Sequence, residues 1–386
     1  MRIGMVAWSF YPRVGGSVTT VIQLAQALVN KGIAVDIIAP ILNKDLNKIN
    51  DLAIDKRIKI HWVVSAGVKN YDSFLSRFIF LLKMINKIRR LSAGVAIFHA
   101  HDFNLSLLAA IMGTGKPVVA IFGADPLFEI VNYGRKKSVD YERLLKNKAV
   151  IVFQKLMRVF IFCVARNRLM VVGCNECSNE IIKKYYSGRQ INIPVGIDLD
   201  LYKRNQLKEE SNEDIILFVG RLVCWKGLDL AVDIFKQARK YHQALKLICI
   251  GQGPLKEYYL KKYKDSGIVF IPNLDYQGVI EYYHRAKILL VTSQYETFGI
   301  NISEAMAAGL PIVATGLDVF ADRLIDGANC YLARDRKMNA YLGRTLDLLN
   351  NPDKSKEFAL KSLAVVENYN INKISDKYVE LYKSLI

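Results

Sequence analysis

The segment Ile288-Leu-Leu-Val-Thr-Ser-Gln-Tyr-Glu296-Thr-Phe-Gly299-Ile-Asn-Ile-Ser-Glu304-Ala-Met-Ala-Ala-Gly309-Leu-Pro311-Ile-Val-Ala-Thr315 decides the fold. Its ends, 288–292 and 312–315, are short apolar runs, the pattern of strands buried on both faces of a parallel sheet. Between them, Gly309 followed two residues later by Pro311 is a helix stop, so a helix is expected over roughly 300–308. The unpaired amides at its start come from residues 298–302 and, with the positive helix end, favour an anion. Glu296 falls in the loop at the carboxyl edge of the sheet, where open α/β sheets take ligands, and Glu304 falls on the helix, facing either inward or out to water. One carboxylate suits the hydroxyls of a sugar and the other those of a ribose, which points to a sugar nucleotide.

Working outward, the same strand and helix alternation repeats along the chain. At the start, Arg2-Ile-Gly-Met-Val-Ala-Trp8 reads as a buried strand; a loop with Gly15 and Gly16 follows, and helical spacing continues from Val18 to Asn30. Strand, glycine loop and helix form a phosphate-cradle layout. Further short strands are expected at 35–39, 58–64, 95–99, 117–122 and 169–173. After Pro194-Val-Gly-Ile-Asp198 the chain turns polar over 203–214, the clearest linker. A second series follows, at 215–219, 245–251, 268–271, 288–292 and 312–315. The expectation is therefore α/β, with two Rossmann-like doubly wound parallel-sheet domains facing across a cleft. They cover 1–200 and 201–360, and helices over 361–386 pack back on the body.

Composition narrows the function. With 386 residues and 52% hydrophobic content the chain has ample material for two cores. Six cysteines at irregular positions and no apolar leader suggest a reducing, cytoplasmic setting with free thiols. Cys174-Asn-Glu-Cys177 has only half the spacing of a zinc site, so no metal is expected there. The net charge of +18 is uneven: residues 1–200 carry 28 Lys and Arg against 14 acids, the rest 26 against 22. Two basic segments, 74–91 and 149–168, are also strongly apolar and read as amphipathic helices. Neither is long enough in uninterrupted apolar residues to span a bilayer. They either pack on the sheet with their charges in water or touch an anionic membrane surface. No nucleic-acid motif accompanies the charge, so nucleic acid is not an expected partner.

The second domain opens with Phe218-Val-Gly220-Arg221-Leu-Val-Cys-Trp-Lys226-Gly227, placing an arginine just past a strand and a lysine five positions on, at a helix start. A diphosphate leaving group gains negative charge as its bond to a sugar breaks, and a preorganised Arg and Lys stabilise that charge.

Gly220-Arg-Leu-x-x-x-Lys226-Gly227, Glu296-Thr-Phe-Gly299 and Glu304-Ala-Met-Ala-x-Gly309-x-Pro311 together resemble the retaining glycosyltransferases of family 4, which have the GT-B fold. The likeness extends to the Gly15-Gly16 loop, His99-Ala-His101-Asp102, Pro194 to Asp198 and Gly251-Gln-Gly253-Pro254. It implies a nucleotide-sugar donor held mainly by the carboxyl-terminal domain and a glycan or lipid-linked acceptor held mainly by the amino-terminal one. By that resemblance Arg221 and Lys226 bind the diphosphate, and Glu296 the hydroxyls of the transferred sugar. Backbone amides of Phe298, Gly299, Ile300 and Asn301 bind phosphate and sugar, Glu304 binds the ribose, and Gly16 lets the first loop approach the donor phosphate. His101 is expected at sugar and acceptor; His99 shares its face, and which of the pair reaches the ligand is open. Asp102 and Asp125 are further acceptor-side candidates, Asp125 on a looser match because Phe122 stands where the family often has His.

No carboxylate is marked as a nucleophile for double displacement. The resemblance implies a front-face path instead, with no cofactor and no metal; Asp198-Leu-Asp200 spells an acidic triplet, but at an interdomain turn. Rival expectations are a UDP-N-acetylglucosamine 2-epimerase-like enzyme, which transfers nothing, and a non-catalytic sugar-binding scaffold.

Overall fold

The computed structural model describes residues 1–386 apart from 13–14, 53, 66–67, 69–72, 103–104, 123–160, 162, 166, 204–212, 265 and 273. The described residues form two compact units, which the chain links at Gly196–Ile197 and again at Asn370–Ile371.

The first unit is built on seven parallel strands: β1 (Arg2–Val6), β2 (Ala34–Leu42), β3 (Lys59–Ser65), β4 (Ile97–Ala100), β5 (Val118–Phe122), β6 (Leu169–Gly173) and β7 (Arg189–Asn192). Their order is β3-β2-β1-β4-β5-β6-β7. Alternate residues of the central strands enter different cores, which is why these strands read as unbroken apolar runs. Phe98, Val118 and Ala120 pack with helices α2 (Phe74–Leu91) and α3 (Leu105–Gly113) through Phe80, Met84, Ile88, Leu107 and Ile111. Ile97 and Val119 pack on the opposite face with α1 (Gly16–Asn30) through Val21, Leu24 and Leu28. Each such aliphatic side chain stabilises the fold by about 1.5–3 kcal/mol.

The second unit carries a six-stranded parallel sheet of β8 (Ile215–Val219), β9 (Lys246–Ile250), β10 (Ile268–Ile271), β11 (Ile288–Val291), β12 (Ile312–Thr315) and β13 (Tyr331–Ala333), in the order β10-β9-β8-β11-β12-β13. Strand order reverses between β8 and β11, where Ile288 pairs with Ile216 and Leu289 with Leu217. Connections leave β8 and β11 in opposite directions across the sheet, which opens a crevice at their carboxyl ends. Two helices bear on that crevice: α4 (Tyr276–Arg285), capped by the Asp275 side chain accepting from the Gly278 amide at 2.8 Å, and α5 (Ile300–Ala307).

The final helix, α6 (Ile371–Lys383), belongs to the first unit. Ile374, Tyr378, Leu381 and Tyr382 lie at helical spacing on its buried face and join the α1 side of the first core.

Candidate active site

The turn after β8 and the loop after β11 are sewn together by hydrogen bonds to backbone carbonyls. Thr292 donates its hydroxyl to the Gly227 carbonyl at 2.9 Å and the Lys226 carbonyl at 3.2 Å, and the Gln294 amide donates to the Trp225 carbonyl at 2.7 Å. Gly227 has φ 72°, and a Cβ there would stand 2.3 Å from the Thr292 oxygen, so only glycine lets the strands' exits meet this closely. Cys224–Lys226 forms one 3₁₀ turn, which brings Lys226 over the crevice.

There the Lys226 ammonium forms an ion pair with the Glu296 carboxylate, which also accepts from the Ser293 hydroxyl at 2.7 Å. Two residues 70 positions apart, singled out from the sequence for different parts of one ligand, thus touch. Arg221 is exposed beside them, its guanidinium 5.6 Å from the centre of the Trp225 ring. The site therefore has a neutralised pair and an exposed cation at the end of β8.

Helix α5 starts directly after Gly299, whose φ of 74° turns the chain into the first helical residue, as the sequence pattern predicts. Asn301 is buried: its side chain donates to the Val219 carbonyl at 3.0 Å and accepts from the Ile302 amide at 3.1 Å, fastening the helix start to the end of β8. Phe298 is buried beneath the loop. Its ring lies 3.8 Å from the Arg323 guanidinium, which donates to the Phe298 carbonyl and, at 2.8 Å, to the Ser303 hydroxyl. Arg323 is itself buried, and sequence reasoning missed it: in Asp322-Arg323-Leu-Ile it reads as a solvated turn residue, with no periodicity to mark it.

Glu304 faces inward. It is 6% exposed and accepts from the Tyr283 hydroxyl at 2.8 Å. Burial pushes its carboxyl up to about 7, against the Tyr283 hydrogen bond, which pulls it down. On the same helix, the Tyr276 hydroxyl meets that of the buried Tyr202 at 2.7 Å. The three tyrosines were also missed. Tyr276 and Tyr283 are two helical turns apart and share a face, but nothing in the sequence says that this face meets Glu304.

In the first unit, Gly15 is exposed and opens α1, with Gly16 its first residue. His99 and His101 stack at 4.4 Å between ring centres at the end of β4, beside β1, where this sheet reverses its order. One of the pair needs correction as an acceptor-side candidate: His99 is wholly buried, with Nδ1 2.6 Å from the Tyr382 hydroxyl and its ring 5.1 Å from that of Tyr378. Alternation gives both histidines one face, but α6 covers that face at His99. His101 is half-buried, its Nε2 has no hydrogen-bond partner among the described residues, and burial holds the imidazole neutral, pushing its pKa down to about 3. Asp102, half-buried, also has local bonds: its carboxylate accepts from the Trp8 amide at 3.3 Å and from the amide (3.1 Å) and hydroxyl of Ser106, tying the chain after β1 to the first turn of α3. Asp125 lies outside the described residues. Asp198 accepts from the Asp200 amide at 3.2 Å, and Asp200 pairs with Lys203, as turn residues do.

Comparison with known proteins names the class. The family model "Glycosyltransferase Family 4" matches residues 14–201, and "Glycosyl transferases group 1" matches 202–362. A curated relative, alpha-monoglucosyldiacylglycerol synthase of Acholeplasma laidlawii, is 27% identical over 349 residues, covering 85% of this chain and 84% of that one. Among solved structures, sucrose-phosphate synthase of Thermosynechococcus elongatus superposes with a TM-score of 0.79 at 20% identity, covering 100% of this chain and 98% of the other. HepE of Anabaena in complex with UDP and glucose gives 0.73 at 16% identity, with both chains covered completely. The chain belongs to the family 4 glycosyltransferases of GT-B fold, and it is a glycosyltransferase.

The Glu304 environment makes a prediction about stability. An unfolded Glu ionises near 4.5, the folded one near 7, so between these values the folded state binds more protons and stability falls as pH rises. The Glu304→Gln variant lacks this term. Its melting temperature relative to wild type should therefore be higher at pH 8 than at pH 5, a difference of about 2–3 kcal/mol in stability. A gap that stays constant across that range would contradict the assigned burial.

Proposed function

We propose that the protein is a retaining hexosyltransferase that moves a sugar from a nucleoside-diphosphate donor to a hydroxyl of a glycan or lipid-linked acceptor. The observation that carries the donor half is the meeting of Lys226, Glu296, Arg221 and the start of α5 at the one point where the second sheet reverses its strand order. In this reading Arg221 and Lys226 bind the diphosphate, Glu296 passes from its ion pair to the sugar's hydroxyls, and Glu304 takes the ribose. As the anomeric carbon–oxygen bond breaks, its electron pair stays on the diphosphate, where the two cations stabilise it. The acceptor oxygen attacks the face the diphosphate leaves, and its proton passes to the departing phosphate oxygen. Configuration is kept, and the charge is balanced by side chains, without a metal. HepE, solved with UDP and glucose, lends support to a nucleotide-sugar donor.

The acceptor half rests on the first unit. His101 offers a neutral imidazole nitrogen, without a partner among the described residues, for an acceptor or sugar hydroxyl. A membrane-associated acceptor, such as a lipid-linked glycan or lipopolysaccharide precursor, is favoured by the surface of α2. There Leu75, Phe78 and Leu82 are 66%, 50% and 46% exposed along one stripe, with Lys83, Arg89 and Arg90 exposed beyond it. Apolar residues followed by cations suit the interface of an anionic bilayer on the cytoplasmic side. No helix among the described residues is long and apolar enough to cross a membrane. The diacylglycerol in the name of the Acholeplasma relative is consistent with such an acceptor. The other basic segment, 149–168, lies mostly outside the described residues.

Two outcomes test the reading. Glu296→Gln should lower turnover of the donor by about 100-fold or more while leaving nucleoside-diphosphate affinity within about threefold; near-normal transfer would remove Glu296 from the sugar. In flotation with vesicles, wild type should bind those containing anionic phosphatidylglycerol in preference to neutral ones, and a variant with Leu75, Phe78 and Leu82 all changed to Ser should lose that binding while its melting temperature is kept. Equal binding to both vesicles, or retention by the triple variant, would count against the membrane contact.

A further inference from the structure

Arg323 holds its charge at 1% exposure, which is costly unless the guanidinium is fully engaged. Each of its three nitrogens has a partner. Nη1 donates to the Ser303 hydroxyl at 2.8 Å, Nη2 to the Phe298 carbonyl and, at 3.4 Å, to that of Val319, and Nε to the Asp322 carboxylate at 3.2 Å. The bond to Phe298 bears on ligand binding. In a trans peptide the carbonyl of one residue and the N–H of the next point in opposite directions, so a Phe298 carbonyl drawn in to Arg323 turns the Gly299 N–H away from it. The amides of Gly299, Ile300 and Asn301, at the start of α5, donate to no acceptor among the described residues. Gly299, at φ 74°, also lacks the Cβ that ties other residues to one sign of φ. Rotation about the Phe298 ψ and the Gly299 φ can therefore turn this peptide over, and an anion would then meet a carbonyl oxygen in place of an N–H. Arg323 selects one of the two orientations.

Resting on the functional reading above, we infer that Arg323 is a positioning residue for the donor: from behind the loop, its hold on the Phe298 carbonyl keeps the Gly299 N–H turned towards the diphosphate. The bond to Ser303 fixes the same guanidinium to the first turn of α5, so the loop and the helix start are set by one group. Stacking supports it, with the Phe298 ring 3.8 Å and the Tyr369 ring 5.6 Å from the guanidinium carbon. The Tyr369 hydroxyl in turn donates to the Asp322 carboxylate at 2.9 Å, which holds that counter-charge in place.

Calorimetric titration of the full chain with UDP, GDP and ADP selects the tightest diphosphate. Wild type, Arg323→Met and Arg323→Lys, each checked by melting temperature, are then compared with that diphosphate and with its nucleoside, which has no phosphate. Arg323→Met should bind the diphosphate about 10-fold or more weakly than wild type, the scale of a hydrogen bond to a charged group, and the nucleoside within about twofold of wild type. Lys keeps the charge but lacks the planar fork that reaches both Phe298 and Ser303, so Arg323→Lys should fall between the two, and it alone decides if Arg323→Met does not fold. A second readout follows the amide itself. The sequence has two Phe-Gly steps, Phe122-Gly123 and Phe298-Gly299, so isotope labelling of Phe carbonyl carbons and Gly nitrogens isolates two amides by NMR, and the signal lost in Phe122→Leu belongs to Gly123. The Gly299 signal should move as diphosphate binds to wild type, and move much less in saturated Arg323→Lys. Wild-type diphosphate affinity in Arg323→Lys, an equal loss for diphosphate and nucleoside, or a Gly299 signal that stays still as wild type binds diphosphate would overturn this inference alone. Failure of wild type to bind any of the three diphosphates would overturn the functional reading and this inference with it.

Discussion

The ion pair between Lys226 and Glu296 is the constraint around which the second unit's functional edge is organised. Two charges so little exposed, at 15% and 7%, persist only because each compensates the other and Ser293 adds a further hydrogen bond. Their meeting demands that the exits of β8 and β11 approach closely, and that approach demands Gly227, whose missing Cβ makes room for the Thr292 carbonyl. The reversal of strand order at β8 and β11 supplies the crevice, and the pair fills it. An arriving phosphate and sugar would meet two side chains already desolvated and oriented, which lowers the reorganisation that binding and catalysis require.

Around this pair the supports are polar but deeply placed. Arg323 holds the loop before α5 by its Phe298 carbonyl and the helix's first turn by Ser303, while Asn301 fastens the same turn to β8. Glu304 is held by the Tyr283 hydroxyl in place of a cation, and burial pushes its carboxyl up to about 7. Breaking any of these contacts leaves a buried polar group without its partner, which makes them expensive to lose.

Most strands, their parallel arrangement and the helix after Gly299 were legible because burial on both faces leaves continuous apolar runs and because Gly and Pro punctuate the backbone; the edge strands β7 and β13 were not, being short and only partly buried. Lys226, Glu296 and Arg221 were legible from the chemistry their spacing suggests. Arg323 and Tyr202 were not, since a long-range contact leaves no local period: Arg323 meets Ser303 20 residues away, and Tyr202 meets Tyr276 across 74. His99 illustrates the same limit. Its face was predictable from alternation, but its covering by Tyr382, 283 residues away, was not.

The central claim is that Lys226 belongs to the diphosphate of the donor. The most direct measurement compares binding of a nucleoside diphosphate with that of the corresponding monophosphate, by calorimetry, in wild type and in Lys226→Met. The account predicts that wild type prefers the diphosphate by about 10-fold or more, the scale of a charge-assisted contact, and that the variant loses most of this preference while its affinity for the monophosphate changes little. A Lys226→Met protein that keeps the full preference for diphosphate would contradict it.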